Sequence, residues 1–464
     1  MLRVAKLRIG GEAYYLDVSA ARPDGPALEP PGEWFGSGLA SAGLGPDAIP
    51  GPDTLGGLLA GSDASGRVLG SGREQVRVAG FDLTFAAPKS VSLLWALGGA
   101  EIGEEVLASH RSAVGEALGY AERRVLAARR TDQGERRVIG VEGALGAAFV
   151  HRTSRALDPH LHTHAVLANL ARGQDGSWSA LDGRGLYAHA RAMESLYHVQ
   201  LRHELACRLG VRFGELDRGR ADIEGIGLEV RAEFSSRSRQ IAAHLAERSL
   251  HGPRAAEIAS HATRDPRDPG ATVEKLLPIW QDRARALGLS GRRIDALTGR
   301  VPGRVMAALA DPEALHEALR SSALPVLSRV VDQGRPLARR HIVPEWAAQL
   351  PQGSPARAVE QAADLVLADL GDLAGRHPEG IGREAPGVAE WRYLPAELAG
   401  FESAEREPAL DRGSRGASRE PDQGGRLTRY VGRAELDELA ARAAHERDHH
   451  RQRGRANAEI ERVR

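Results

Sequence analysis

One stretch of the chain decides how its first half folds: His151-Arg-Thr-Ser-Arg-Ala-Leu-Asp-Pro-His-Leu-His-Thr-His164. Side chains two residues apart in a β-strand point to the same face of a sheet, so His162 and His164 can direct two imidazoles at one point. Asp158-Pro159 is a turn signal, and a chain that doubles back there brings His151 to the same point. Three imidazoles leave coordination positions of a divalent cation open, as a Lewis acid requires and a structural site avoids.

The alternative reading of these histidines is structural. An isolated pair of histidines is more often a hydrogen-bonded core pair than a metal site. Here the third histidine and the apolar run Ala165-Val166-Leu167-Ala168, which is typical of a buried strand, favour a metal site. His160 has the same parity as His162, but it lies beside the turn and we expect it to face solvent. A zinc enzyme acting on small molecules uses a similar ligand set, so the histidines alone leave that class open.

Composition limits the class of protein. A chain of 464 residues is too long for one ordinary domain, so we expect two or three. The lone Cys207 excludes a disulfide framework and a cysteine-based zinc cluster. No run of apolar residues is long enough to cross a bilayer and no signal layout begins the chain, so we expect a soluble, cytoplasmic protein without membrane insertion. With 62 basic and 62 acidic residues, any groove for DNA must be a local basic patch.

Two further segments accompany the histidines. The first is Ala13-Tyr14-Tyr15-Leu16, followed by Gly32-Glu33-Trp34-Phe35-Gly36-Ser37-Gly38. The second is Gly80-Phe81-Asp82-Leu83-Thr84-Phe85-Ala86-Ala87-Pro88-Lys89-Ser90-Val91-Ser92. In order and spacing, the three segments resemble the three motifs of conjugative relaxases of the MobF (TrwC-like) type, in the HUH endonuclease superfamily. The resemblance runs from about Tyr14 to Phe213 and closes with Asp182-Gly183-Arg184-Gly185-Leu186-Tyr187 and Leu201-Arg202-His203-Glu204-Leu205.

The resemblance implies an activity. Relaxases of this type are metal-dependent nickases that use a tyrosine to cut and rejoin one DNA strand at a plasmid or mobile-element origin of transfer. Tyr14 matches the family's nucleophile, and its product would be a 5′-phosphotyrosyl DNA with a free 3′-hydroxyl. Tyr15 is the alternative, because adjacent tyrosines point apart in an extended chain and only one can face the metal. Asp82 matches the family's active-site aspartate, which either orients a metal-bound histidine or accepts the tyrosine proton.

Three basic residues are candidates for DNA binding. Lys89 could contact a phosphate, although a surface lysine at the end of a strand is an equally good interpretation. Arg152 and Arg155 flank the histidines and could bind backbone phosphates, or they could pair with Asp158 or Asp182.

The chain departs from the family pattern in two respects. Many members carry a second tyrosine pair shortly after the first, but here Arg22 stands at that place and the next tyrosine is Tyr120. A cycle with a single tyrosine is therefore expected. The three lysines, Lys6, Lys89 and Lys275, follow no phosphate-binding loop of the Gly-x-x-x-x-Gly-Lys-Ser/Thr kind, so we expect no ATP and no helicase motor.

These expectations define the cofactor and the partners. The cofactor is a divalent metal ion, Mg, Mn or Zn, held by His151, His162 and His164. The partners are single-stranded DNA at the origin of transfer, a possible helicase acting in trans, and the conjugation coupling and secretion machinery. Two other functions stay open: a single-stranded DNA-binding relaxase remnant without catalysis, and a zinc enzyme with three histidine ligands that acts on small molecules.

The pattern of elements predicts an α+β fold with an antiparallel sheet and flanking helices, the HUH relaxase fold, over residues 1–235. Residues 81–85 alternate as a strand, 103–130 read as a long helix, 138–150 and 161–170 as a strand pair, and 187–209 as another helix. A mainly helical region is expected over 236–400. Residues 401–430 are charged and poor in apolar side chains, which predicts a disordered linker, and 431–464 read as a charged helix.

Overall fold

A computed structural model describes residues 2–20, 27–70, 77–132, 135–263, 270–373, 392–394 and 428–430. Within these residues the chain forms two compact units. The first is made of Met1–Asp311 together with Ala347–Arg357, and it contains every candidate site residue named above. The second is made of Pro312–Trp346 and of the described residues after 357.

Nine strands belong to the first unit, counted over its described residues: β1 (Leu2–Leu7), β2 (Glu33–Phe35), β3 (Gly80–Ala86), β4 (Ala127–Asp132), β5 (Glu135–Gly140), β6 (Gly146–Thr153), β7 (Pro159–Ala168), β8 (Ala171–Arg172) and β9 (Trp178–Ser179). Five of them form one sheet in the order β1-β3-β7-β6-β2, and each neighbouring pair is antiparallel. β4 pairs with β5 and β8 pairs with β9 in two small hairpins.

Helices surround this sheet and continue to the end of the unit. They are α1 (Ala13–Ser19), α2 (Gly57–Ala60), α3 (Lys89–Leu97), α4 (Gly99–Arg124), α5 (Arg184–Leu209), α6 (Leu228–Glu233), α7 (Ser236–Glu247), α8 (Pro253–Ala262), α9 (Val273–Ala286), α10 (Gly291–Asp295) and α11 (Gly303–Ala310), with a 3-10 turn at Leu39–Ala42 and a π turn at Pro52–Gly56. The expected antiparallel sheet with flanking helices is confirmed.

The two faces of the sheet differ in character, as the alternation in β3 predicts. Phe81, Leu83 and Phe85 are buried on the face that α3, α4 and α5 cover, and the Phe85 ring lies 5.6 Å from the ring of Tyr197 on α5. Burying a large apolar side chain contributes about 1.5–3 kcal/mol, so this layer holds the helices against the sheet. The opposite face carries Asp82, Thr84 and the histidines, and it is the face that positions the site.

Two predicted elements differ from the structure. The helix expected over 103–130 is α4, which starts at Gly99 and ends at Arg124, and the chain then turns into β4. The strand expected over 138–150 is interrupted between β5 and β6. Gly143 lies there against the loop of Ser37 and Gly38, where a Cβ would collide with Ser37 Oγ and come within 2.6 Å of Gly38 N. The strand is interrupted where these two loops come close together. The alternation of residues within 138–150 gives no sign of this contact, because the contact joins segments that are distant in the sequence.

The C-terminal region is mainly helical, as expected. The later helices are α12 (Pro312–Ser321), α13 (Ala323–Asp332), α14 (Arg339–Ala347) and α15 (Ala356–Leu373), and β10 (Arg392–Leu394) pairs in parallel with β11 (Thr428–Tyr430). Thr428–Tyr430 is thus a strand inside the predicted disordered linker 401–430. The rest of that linker and the predicted charged helix 431–464 lie outside the described residues. No helix in the described ranges combines the length and the hydropathy that crossing a bilayer requires.

The expected domain boundary at residue 235 concerns independent folding and stays a prediction. In the structure the first compact unit extends to Asp311, because α7 to α11 belong to it.

Candidate functional site

The structure brings the three predicted metal ligands together. His151 on β6 lies directly opposite His162 on β7, and His164 follows on the same face two residues later. One nitrogen from each imidazole lies within 4.8 Å of those of the other two. The ring centroids are 4.9 to 5.3 Å apart, His151 is fully buried and His162 nearly so.

Hydrogen bonds fix the orientation of two of these rings. His162 Nδ1 donates to the backbone oxygen of His160 at 2.8 Å. His164 Nδ1 donates to the Asp82 carboxylate, at 2.9 Å from Oδ2 and 3.0 Å from Oδ1. In both residues this leaves Nε2 as the nitrogen available to a metal, and such outer partners are what ligating histidines usually have. The donor set therefore fits a divalent cation with open coordination positions.

Burial keeps His162 and His160 neutral. It lowers the pKa of His162 well below its usual range, and the neighbouring histidines lower it further. Burial also lowers the pKa of His160 to about 3. The expectation that His160 faces solvent is wrong: its ring stacks on that of His162 with the centroids 4.5 Å apart, because both belong to β7 with the same parity. A neutral imidazole is the form that binds metals.

Asp82 connects the histidines to α1. Its register partner in β7 is Val166, so it sits diagonally beside His164 on the same face. Besides His164, its carboxylate accepts hydrogen bonds from Thr84 Oγ1 at 3.2 Å and from the Tyr15 hydroxyl at 2.9 Å. The carboxylate thus lies where it can orient the His164 ring, and where it can accept a proton from a phenol.

Tyr14 and Tyr15 lie in the helix α1, so the expected extended chain is wrong there, and both rings reach the histidines. The Tyr14 ring centroid is 5.9 Å from that of His151 and 6.3 Å from that of His164. The corresponding distances for Tyr15 are 6.5 and 5.0 Å. Tyr15 is buried and stacks on Phe149 at 5.5 Å, whereas Tyr14 is half-buried. Both tyrosine rings therefore lie beside the histidines, and they differ in how accessible they are to solvent.

Comparison with known proteins shows which family the chain belongs to. A family model described as TrwC relaxase matches residues 7–287, which is more than half of the chain. The chain belongs to the TrwC relaxase family.

Solved structures of TrwC resemble the chain over the same region. The metal-bound complex of the conjugative relaxase TrwC with oriT DNA has a TM-score of 0.55 and 32% identity, and the match covers 63% of this chain and 100% of that one. A copper-bound complex with oriT DNA gives the same values. A TrwC complex with a 27-mer DNA comprising the recognition hairpin and the cleavage site has a TM-score of 0.54 and 30% identity, with the same coverage.

The curated relatives are much longer than the part of them that matches this chain. The multifunctional conjugation protein TraI of Escherichia coli K12 is 31% identical over 256 residues, which is 52% of this chain and 14% of TraI. A second Escherichia coli TraI is 33% identical over 172 residues, which is 35% of this chain and 9% of that protein. The chain thus spans only a small part of the TraI proteins it matches.

The three basic candidates of this member of the TrwC relaxase family have different surroundings. The Arg155 guanidinium lies 5.0 Å from the centroid of the Tyr14 ring. Arg152 forms an ion pair with Glu29 at 3.0 Å and also donates to the oxygen of Leu28. Arg155 is thus the basic side chain that lies against a candidate nucleophile.

Lys89 is turned toward the β6–β7 connection. It is the first residue of α3 and not a surface residue at a strand end, and its Nζ donates to the Pro159 oxygen at 2.6 Å. Burial lowers the pKa of its ammonium to about 8.

The two carboxylates suggested as alternative partners of Arg152 and Arg155 form other ion pairs. Asp158 pairs with Arg283 at 3.0 Å, and Asp182 pairs with Arg184 at 2.6 Å. Arg283 lies 125 residues after Asp158, so no local pattern signals that contact.

Sequence reasoning also missed functional neighbours of the TrwC-type site. Thr84 Oγ1 lies 3.2 Å from His164 Nδ1 and is its direct partner across the sheet. The alternation of β3 already put Thr84 on the face of Asp82 and could have identified it. Phe149, which supports Tyr15, and Glu29, which pairs with Arg152, depend on contacts between distant segments and had no signal in the sequence.

Proposed function

We propose that this chain cuts and rejoins single-stranded DNA at an origin of transfer by metal-dependent tyrosine transesterification. The observation that carries the proposal is the pair of α1 tyrosines beside three converging histidines, one of which is hydrogen-bonded to Asp82. Membership of the TrwC relaxase family and the solved TrwC complexes with oriT DNA support it. Cytoplasmic location, a helicase in trans, and coupling and secretion machinery as partners are parts of the same proposal.

The metal would be held by His151, His162 and His164. Copper-bound and other metal-bound TrwC structures support a divalent ion, and imidazole ligands suit Zn or Mn better than Mg. When bound, the ion stabilises negative charge on the phosphoryl oxygens. His162 and His164 keep their Nε2 atoms available for it because His160 and Asp82 engage their Nδ1 atoms.

Tyr14 is the proposed nucleophile. Its hydroxyl oxygen would attack the phosphorus while the bond to the 3′-oxygen breaks, giving a 5′-phosphotyrosyl bond and a released 3′-oxygen that takes up a proton to become the 3′-hydroxyl. The reverse reaction rejoins the strand. A phenol has an ordinary pKa of about 10, so the proton must be removed as the bond forms. Tyr14 is the more exposed of the two tyrosines, and a DNA strand can reach it more readily than the buried Tyr15.

The neighbouring side chains have supporting roles in this proposal. Asp82 orients His164 and holds the Tyr15 hydroxyl, which fixes α1 over the sheet. Arg155, stacked on Tyr14, is the first candidate to bind the attacked phosphate. Arg152 and Lys89 are secondary candidates, since binding DNA would draw them away from Glu29 and the Pro159 oxygen.

A nicking assay tests the function. Supercoiled plasmid bearing the cognate origin should be converted to open circles with added Mn²⁺, and excess chelator should abolish the conversion. His151→Ala should abolish it as well, whereas His251→Ala, the same change at an exposed histidine, should not. Binding of origin DNA without nicking would identify a non-catalytic remnant. Failure both to bind and to cut this DNA, with metal still bound, would favour a zinc enzyme acting on small molecules.

A further inference from the structure

The turn between β6 and β7 separates His151 from His162 and His164, so its shape controls how the three histidines meet. Leu157 in this turn has a φ of +58°, in the left-handed region that residues with a branched side chain rarely adopt. The ladder between β6 and β7 also shifts register between His151 and Thr153. A turn of this kind keeps its conformation only when surrounding contacts hold it.

Contacts from α9 hold the turn at two consecutive residues. Trp280 Nε1 donates to the Leu157 oxygen at 2.8 Å, and the Trp280 side chain is almost fully buried. Arg283, one helical turn later, donates from Nη1 to Asp158 Oδ1 at 3.0 Å. The other Asp158 oxygen accepts the backbone N–H of Ser236, at the start of α7, at 2.7 Å.

Arg283 is itself fixed on several sides. It donates to Glu233 Oε1 from Nε at 3.1 Å and from Nη2 at 2.9 Å, and Nη2 also donates to the Glu233 backbone oxygen at 2.9 Å. Its guanidinium lies 4.4 Å from the centroid of the buried Phe234 ring. A guanidinium held in this way is already oriented for the Asp158 carboxylate, which is 1% exposed. The carboxylate of the ion pair is thus shielded from water, which strengthens the charge-assisted hydrogen bond it accepts.

We propose that Trp280 and Arg283 are positioning residues for the metal-binding histidines. They hold the β6–β7 turn and thereby set the separation of His151 from His162 and His164, although neither touches the metal site itself. The proposal rests on the metal-binding part of the proposed function. It also gives α9 a part in the active site, although the sequence motifs lie wholly before residue 235.

Cobalt binding to the full chain tests this proposal without relying on activity. Metal-free protein would be titrated with Co²⁺, recording the affinity by calorimetry and the ligand geometry by visible absorption. Trp280→Phe replaces the indole by a smaller aromatic ring without the N–H donor, Arg283→Ala removes the ion pair, and Arg283→Lys restores the charge. The matched control is Arg285→Ala, on the exposed side of the same helix, where the arginine pairs with Asp282.

We expect Trp280→Phe and Arg283→Ala to weaken Co²⁺ binding by about tenfold or more and to change the absorption spectrum. Arg283→Lys should recover part of the affinity, and Arg285→Ala should match the parent. Parental affinity and spectrum in Trp280→Phe and Arg283→Ala would overturn the proposal and leave the metal site intact. If Arg283→Ala does not fold, Trp280→Phe decides. Absence of Co²⁺ binding by the parent would instead contradict the proposed metal site.

Discussion

At the scale of single residues, Asp82 joins the parts of the site that come from different segments. Its carboxylate accepts hydrogen bonds from His164, Thr84 and Tyr15, which lie on β7, β3 and α1. Its side chain is 12% exposed, so the loss of these bonds would leave polar groups with little access to water. The sequence alone leaves two roles open for Asp82, and the direct contact with His164 Nδ1 favours orientation of the ring.

Substitution of Asp82 separates these roles. Asp82→Ala should weaken metal binding by about tenfold or more, since the His164 ring loses the partner that orients it. Asp82→Asn retains an acceptor oxygen and should lose less. Calorimetry should first establish the metal concentration that saturates each protein. At saturating metal, the single-turnover rate of DNA cleavage by Asp82→Asn should be within a few fold of the parent's. A fall of about 10²-fold under those conditions would instead identify Asp82 as the proton acceptor.

At the scale of secondary-structure elements, a buried polar network ties α4 and α5 to the back of β7. His110 on α4 is fully buried, with Nδ1 2.9 Å from the Tyr197 hydroxyl and Nε2 2.8 Å from Thr163 Oγ1. Thr163 lies between His162 and His164 and points to the opposite face of the sheet. The helices therefore contact β7, the strand that carries His162 and His164, directly through hydrogen bonds.

This network predicts sensitivity to acid. Burial lowers the pKa of His110 to about 3, whereas an unfolded histidine titrates at about 6.5. Below about pH 6.5 the unfolded chain therefore takes up a proton that the folded protein refuses. The contribution of the neutral His110 to the free energy of unfolding is therefore fully present above that pH, and it is lost progressively as the pH falls toward 3.

His110→Gln removes this titration. At pH 5 the difference in pKa corresponds to about 2 kcal/mol. Denaturant unfolding of the metal-free protein at pH 7 and pH 5 should show the parent losing more stability than the variant by about this amount. Equal losses in the two proteins would contradict the assignment of a neutral, buried His110.

The elements also show what the sequence could predict. The alternation of Phe81, Leu83 and Phe85 with Asp82 and Thr84, and the spacing of the histidines, follow from the two-residue period of a strand, so the faces of the sheet and the convergence of the three histidines were predictable. The helix around Tyr14 was not, because α1 is one short helix whose N-cap makes no side-chain hydrogen bond. Tertiary packing, such as Tyr15 against Phe149, decides its conformation.

At the scale of the whole molecule, the first unit depends on segments far along the chain. Besides the contacts of α9, the segment Ala347–Arg357 returns to this unit. The buried Arg202 donates to the backbone oxygens of Ala347 and Leu350, each at 3.1 Å. Gln352 exchanges two hydrogen bonds with the backbone of Phe213. We propose that the autonomous relaxase unit therefore extends beyond residue 235.

Truncation tests this extent. Residues 1–357 should reproduce the thermal midpoint and metal affinity of this unit in the full chain. Residues 1–235 should melt earlier and bind metal more weakly, since the loss of the buried Trp280 side chain alone costs about 3 kcal/mol or more. Calorimetric melting and Co²⁺ titration of both fragments provide the comparison. A 1–235 fragment equal to the longer one in both measurements would restore the boundary that the sequence predicts.

The Tyr14 hydroxyl is the group that we propose forms the bond to DNA. The most direct test is to react the protein with a single-stranded oligonucleotide that contains the nick site and to map the adduct by mass spectrometry after digestion. Tyr14→Phe removes only the hydroxyl and keeps the ring that contacts Arg155, so it should bind the oligonucleotide without forming an adduct. Tyr15→Phe is the matched control and should still form it.

We expect a nucleotide on the peptide that contains Tyr14, attached to Tyr14 and absent from the Tyr14→Phe protein. A nucleotide on Tyr15 would contradict the claim and would make the tyrosine that donates to Asp82 the nucleophile. A nucleotide on Tyr120 or Tyr187 would show that the first motif is misassigned.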